Sequence, residues 1–235
     1  MTLTRIRPAR RIFRAARHTA LSLALACIAP SQAQAGSQPM QFHVEPLRSA
    51  DCGVKCPNVV VADGVIEPDT PEVFADFARA ASRTPNMKSL MLINSPGGNV
   101  IASMDFGAML RQLHIAAVVA SYGSDGFRAG PTPGECVSAC VYALMGAVRR
   151  VAPEQSRVAL HRMSVSETLT PTRGRVGSVS RRFADERLVD KVARYARKMG
   201  VSPDVVMQAE SLDPDHVRSL NAREMQRWRL ASPRL

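Results

Sequence analysis

Aromatic residues are scarce in this chain of 235 residues: one Trp, three Tyr and seven Phe. Its core must come from Ala, Val, Leu and Met, a composition that suits helices packed on a sheet. Long apolar runs are missing as well. The apolar stretch Thr19–Ala29 reaches about half of the ~20 residues that a spanning helix needs. Acidic residues are absent from the first 35 positions, which hold six arginines (Arg5, Arg7, Arg10, Arg11, Arg14 and Arg17). That asymmetry produces much of the formal charge of +11; without those positions 25 basic and 20 acidic residues remain, or +5. A nucleic-acid-binding reading thereby loses its basis. The chain has no GxxxxGK[ST] phosphate loop, no HExxH motif and no repeat of 20–50 residues. No cofactor and no nucleic-acid partner are expected.

What is present begins with a targeting pattern. A basic segment to Arg17, the apolar Thr19–Ala29 and the small-x-small triplet Ala33–Ala35 have the layout of a cleavable export signal. The expectation is cleavage before Gly36, a mature chain in the periplasm or secreted, and no integral span after cleavage. Arg10–Phe13 resembles a twin-arginine signal, and Leu23–Cys27 is a poor lipobox. Cys27 would leave with the signal, so Cys52, Cys56, Cys136 and Cys140 remain. An even count in an exported chain points to disulfides. Three pairings are open. No His stands close to either CxxxC pair, so a metal is not expected.

The organisation expected is an export signal over 1–35, a polar lead-in with a Cys pair over 36–57, and one α/β domain over 58–235. Within that domain, strands are expected at Asn58–Ile66, Lys88–Asn94, Ile115–Ser121 and Arg157–His161. Helices are expected over 69–82 and 99–113, in the buried run after Cys136, and twice after Phe183. Tyr122–Pro133 reads as a Gly/Pro loop and Thr168–Arg182 as a basic, mobile one. Strands alternating with helices argue for a layered α/β fold with a largely parallel sheet, flanking helices and C-terminal helices.

Three stretches can carry chemistry. "INSPGG" (Ile93–Gly98) ends a strand in two glycines just before a helix. Backbone N–H groups there can face open space and hold a developing oxyanion. "GECVSACVYALMGAVRRV" (Gly134–Val151) puts Ser138 at the start of a buried helix, where the Ala139 N–H and the positive helix end favour negative charge. "RVALHR" ends an apolar strand in His161, and a neutral imidazole is the usual base for a serine hydroxyl. Each has a plain structural reading too: a tight turn, a packing serine and an edge histidine.

In this order the three stretches resemble the Clp protease proteolytic subunit and the wider ClpP/crotonase superfamily. "LNAREMQRWRL" (Leu220–Leu230) is similar to that family's C-terminal L-S-A-E-E-A stretch, and the resemblance spans about Val59–Leu230. It implies a ClpP-like layered fold, a nucleophile at Ser138, a base at His161 and an oxyanion hole from Gly97, Gly98 and Ala139. It also implies peptide or unfolded-protein substrates and a homo-oligomer. The family's acid register falls on Val217, which leaves Asp213 or Asp215 as the candidate third residue. No ATP-dependent unfoldase partner is expected outside the cytoplasm. The alternative is a catalytically inactive peptide- or protein-binding module. Acyl-CoA chemistry on the same glycines would leave Ser138 without a role. A serine–lysine dyad would need Lys55, Lys88, Lys191 or Lys198, none of which is well placed in sequence.

Overall fold

The structure, a computed structural model, describes residues 38–48, 55–123, 129–168, 179–213 and 215–234. All of these lie in the compact unit Gln34–Leu235. The expected export signal, Cys27, Cys52 and most of the basic stretch before Arg182 lie outside the described residues.

In chain order the strands are β1 (Gln41–Pro46), β2 (Asn58–Asp63), β3 (Met87–Asn94), β4 (Ala116–Gly123), β5 (Gly130–Pro133), β6 (Glu135–Val137), β7 (Arg150–Val151), β8 (Arg157–Leu160), β9 (Ser164–Thr168), β10 (Val179–Phe183) and β11 (Arg218–Ser219). The helices are α1 (Thr70–Ala81), α2 (Val100–Gln112), α3 (Cys140–Gly146), α4 (Glu186–Lys198), α5 (Asp204–Glu210) and α6 (Ala222–Arg227). The main sheet runs β1-β2-β3-β4-β5, with β7 also paired to β4. Its β2–β3, β3–β4 and β4–β7 pairs are parallel, while β1 and β5 join antiparallel. A second sheet, β11-β8-β6, carries a parallel β6–β8 pair. The expected α/β fold with a largely parallel sheet is what the chain adopts.

Parallel strands buried on both faces need continuous apolar sequence, and β2 and the end of β3 supply it with Val59–Ala62 and Met91–Ile93 fully or nearly fully buried. Helices α2 and α3 cross so closely that a Cβ on Gly146 would lie 1.9 Å from the Gly107 carbonyl oxygen. The carbonyls ending α3 are satisfied by two arginines from elsewhere. Arg111 Nε donates to Gly146 (2.9 Å) and Arg150 Nη1 to Ala147 (2.9 Å), which meets the need of a buried helix end for donors.

Four expectations differ from what is seen. The polar lead-in contains β1, because Phe42 turns inward and stacks near Phe74, Phe77 and Phe106 at 5.1–5.7 Å between ring centroids. Four of the seven phenylalanines are thus spent on fastening this edge strand to α1 and α2. The loop before Gly134 holds β5, paired with β4, and the basic stretch ends in β10, paired with β9. The helix expected from Cys136 starts only at Cys140. Residues before it form β6, and Ser138 is a left-handed residue between the two.

Candidate functional site

The site forms where the two sheets meet. Asn94, buried at the end of β3, accepts the Glu135 N–H through Oδ1 (2.8 Å) and donates from Nδ2 to Asp63 (3.0 Å). Next, the Ser95 N–H donates to Glu135 (2.7 Å) and the Val137 N–H to Ser95 (3.0 Å). These bonds lay the "SPGG" turn along β6 and therefore along the residue that follows it, Ser138.

Both glycines of the turn are required by conformation and by space. Gly97 has φ +111° and Gly98 φ +138°. A Cβ on Gly98 would stand 2.1 Å from the Ile66 carbonyl oxygen, and one on Gly97 would stand 2.8 Å from the Ser138 Cβ. The Gly97 N–H bonds the Ser95 hydroxyl (3.1 Å), and its carbonyl accepts the Ile66 N–H (2.8 Å). Gly97 is thus the packing floor under Ser138. Among the described residues the Gly98 and Ala139 N–H groups have no hydrogen-bond partner. Of the three oxyanion candidates, Gly98 and Ala139 hold free donors and Gly97 does not.

Ser138 has φ +57°, an uncommon value for a non-glycine residue. Its N–H donates to Ala159 of β8 (2.9 Å), and its carbonyl accepts the Val141 N–H that opens α3. Cys136, Val137, Ala139 and Cys140 around it are buried, whereas Ser138 is partly exposed. The strand-to-helix turn lifts one hydroxyl out of an otherwise apolar run. A disulfide joins Cys136 to Cys140 across this turn, with Cα atoms 5.2 Å apart. Cys56 is disulfide-bonded as well, and Cys52 lies outside the described residues. Both Cys136 and Cys140 are fully buried. The native protein is therefore expected to resist a mild reductant, with free thiols appearing only on unfolding. A Cys136→Ala/Cys140→Ala protein should lose about 2 kcal/mol by the loop-entropy relation for so short a loop, read from denaturant midpoints.

His161 directly follows β8, two residues beyond the carbonyl that holds Ser138. Its Nδ1 lies 2.7 Å from the Arg162 carbonyl oxygen. A carbonyl only accepts, so Nδ1 carries the hydrogen and Nε2 is left as the acceptor when the ring is neutral. Among the described residues no hydrogen bond joins the Ser138 hydroxyl to His161. Neither aspartate proposed from sequence reaches the ring. Asp213 is exposed and accepts the Asp215 N–H (3.0 Å), while Asp215 pairs with Arg181 at the surface. The physical reason is local: Asp213 and Asp215 belong to an exposed turn after α5, where Asp213 holds the turn's own backbone and Asp215 is taken by Arg181 of β10.

The carboxylate found instead is Glu210, at the end of α5. Its Oε1 accepts the Met163 N–H (3.0 Å), and its Oε2 lies 3.8 Å from Arg162 Nε. Burial pushes the Glu210 carboxyl up, and the Met163 N–H, the Arg162 guanidinium and the nearby His161 pull it back down. Only its place in the α5 pattern could have marked it in sequence, and that pattern does not distinguish it from Asp204. Arg162 stacks over Phe183 at 4.4 Å. Beside this segment runs a groove of about 550 Å³ lined by Met163, Ser164, Phe183, Ala184 and Leu188. The lysines weighed as alternative bases, Lys55, Lys88, Lys191 and Lys198, are all exposed. Among the described residues no cluster of His, Cys, Asp and Glu could hold a metal, and no helix is long and apolar enough to cross a membrane.

No protein-family model and no curated protein sequence matches this chain. Among solved structures it is similar to the 1510-N membrane-bound stomatin-specific protease, as a serine-to-alanine mutant, at 15% identity and TM-score 0.48, covering 74% of this chain and 75% of that one. It is similar to a lysine-to-alanine mutant of the same protease, in complex with a substrate peptide, at 17% identity and TM-score 0.47, covering 74% and 71%. It is also similar to ClpP1 from Listeria monocytogenes, at 16% identity and TM-score 0.46, covering 74% of this chain and 88% of that one.

Proposed function

We propose that this chain is an exported ClpP-like serine hydrolase that cleaves peptides or unfolded chains. In this reading His161 Nε2 takes the Ser138 proton, Ser138 Oγ attacks the carbonyl, and the Gly98 and Ala139 N–H groups hold the oxyanion. One observation carries it: a left-handed, partly exposed serine, packed on Gly97, stands beside two unpaired backbone N–H groups. Ala139 is buried and Gly98 exposed; a buried donor left without a partner has a cost, which an oxyanion bound to the Ala139 N–H removes. The missing Ser138–His161 bond does not count against the reading, since such bonds are often long in a free enzyme and tighten on substrate. The groove beside Met163 combines apolar walls from Met163, Phe183, Ala184 and Leu188 with the charged Arg182 and Asp185, which suits a peptide with both apolar and polar groups. Export rests on the signal-like pattern of residues 1–35.

The experiment is labelling of the mature, oxidised protein with a fluorophosphonate probe, followed by peptide mapping. The adduct is expected on Ser138; an unlabelled protein, or an adduct elsewhere, sinks the reading. A second reading, a peptide-binding module without turnover, is favoured by the absence, among the described residues, of any carboxylate bonded to His161 itself. It would be supported by peptide capture in a protein that never labels.

A further inference from the structure

The environment of His161 contains an arrangement that sequence did not suggest. The peptide unit between Arg162 and Met163 is held on both sides. Its carbonyl accepts from His161 Nδ1 (2.7 Å), and its N–H donates to Glu210 Oε1 (3.0 Å). A trans peptide is planar, with its C=O and N–H pointing in opposite directions. Fixing the N–H therefore fixes the direction of the carbonyl, and the carbonyl fixes the imidazole and its tautomer. Hydrogen bonds in such a chain also polarise one another. The Glu210 charge increases the negative charge on the Arg162 oxygen, which strengthens the bond that oxygen accepts from His161 Nδ1. No proton has to cross the peptide.

We propose that Glu210 is the positioning residue for His161 and acts through the Arg162–Met163 peptide, in place of the carboxylate that would otherwise contact the ring. This rests on the serine-hydrolase reading of Ser138 and His161. Two features of Glu210 are otherwise unfavourable. It is a carboxylate in the last turn of a helix, where the dipole opposes negative charge, and its side chain is only 12% exposed. Val205, Val206 and Ala209 anchor α5 in the core, so Glu210 presents its carboxylate from a rigid support. Asp213 and Asp215, on an exposed turn, have no such support.

The test compares Glu210→Gln, Glu210→Ala, Glu210→Met and Asp215→Asn by two measurements. The first is the rate of fluorophosphonate labelling. The second, made in a Ser138→Ala background and so independent of activity, is the ¹⁵N spectrum of the His161 ring, which reports the tautomer. In Glu210→Ala, labelling should fall on the order of 10- to 100-fold, and the ring should lose its single Nδ1–H tautomer. Glu210→Met, which fills the volume without an acceptor, should behave alike at near-native thermal stability. Glu210→Gln keeps an acceptor for the Met163 N–H and should restore the tautomer and most of the rate. Asp215→Asn should change neither. A single Nδ1–H tautomer retained in both Glu210→Ala and Glu210→Met, or the same loss in Asp215→Asn, overturns the proposal. A parent protein that never labels removes the hydrolase reading alone, because the ring spectrum still decides the role of Glu210.

Discussion

Replacing Ser138 with alanine should abolish covalent labelling and lower peptide hydrolysis by at least about 10⁴-fold, with no matching loss of stability. The size follows from how a nucleophile and its base act as one unit. Without the Oγ, only substrate binding and the oxyanion donors remain, and removal of the serine in such sites costs on the order of 10⁴- to 10⁶-fold. The Gly98 and Ala139 N–H groups come from backbone held by the Asn94, Ser95 and Ala159 bonds, so the substitution should leave them in place. Stability should shift by less than about 0.5 kcal/mol. Alanine at φ +57° is no more strained than serine, and among the described residues the Ser138 hydroxyl makes no bond to lose. Hydrolysis that persists in Ser138→Ala would place the chemistry elsewhere. Unchanged peptide capture in a pair of equally inactive proteins would point to the binding module.

The second large effect concerns stability. Gly146→Ala should cost about 3 kcal/mol or more, near the upper end of what over-packing causes. The added Cβ would lie 1.9, 2.2 and 2.4 Å from the oxygen, carbon and Cα of Gly107. All three are backbone atoms of α2, so no rotamer change can relieve the clash, and the two helices must separate. Arg111, which bonds the Gly146 carbonyl from α2, would be displaced in the same movement. Gly200→Ala is the natural comparison. Gly200 also has an uncommon backbone, φ +74°, but nothing lies within 4 Å of its absent Cβ. Its substitution should cost only the backbone term of about 1–2 kcal/mol. Denaturant midpoints for the two variants separate space from conformation. Equal losses would mean that α2 and α3 have room to adjust.

Much of the site is legible in the chain itself because its parts are local. "INSPGG" announces a strand ending in a tight turn, and β3 ends at Asn94 with both glycines at positive φ. The order Gly-Gly, serine, histidine suggests one pocket, and the Ser95–Glu135 and Ser138–Ala159 bonds bring the three stretches together. The parts that sequence misplaced depend on distant partners. The sequence predicts the helix from Cys136, four residues too early, because "CVSACV" is apolar apart from Ser138. Whether its first residues are strand or helix depends on β8 being alongside to accept and donate. β1 reads as polar in isolation, and the packing of its Phe42 comes from phenylalanines 32 to 64 residues away.

Composition and apolar periodicity were enough to imply an α/β fold, and the family resemblance marked the glycines, Ser138 and His161 as a candidate site at the ends of its strands. They are properties of short segments, governed by backbone preference and by the burial of apolar side chains. The tertiary structure alone decided which N–H groups lack a partner among the described residues, which cysteine is bonded to Cys136, and which carboxylate holds the peptide unit beside His161. Those are questions of hydrogen-bond geometry over a few ångströms. Sequence separation says nothing about them when a backbone N–H at Met163 and the carboxylate at Glu210 that accepts it are 47 positions apart.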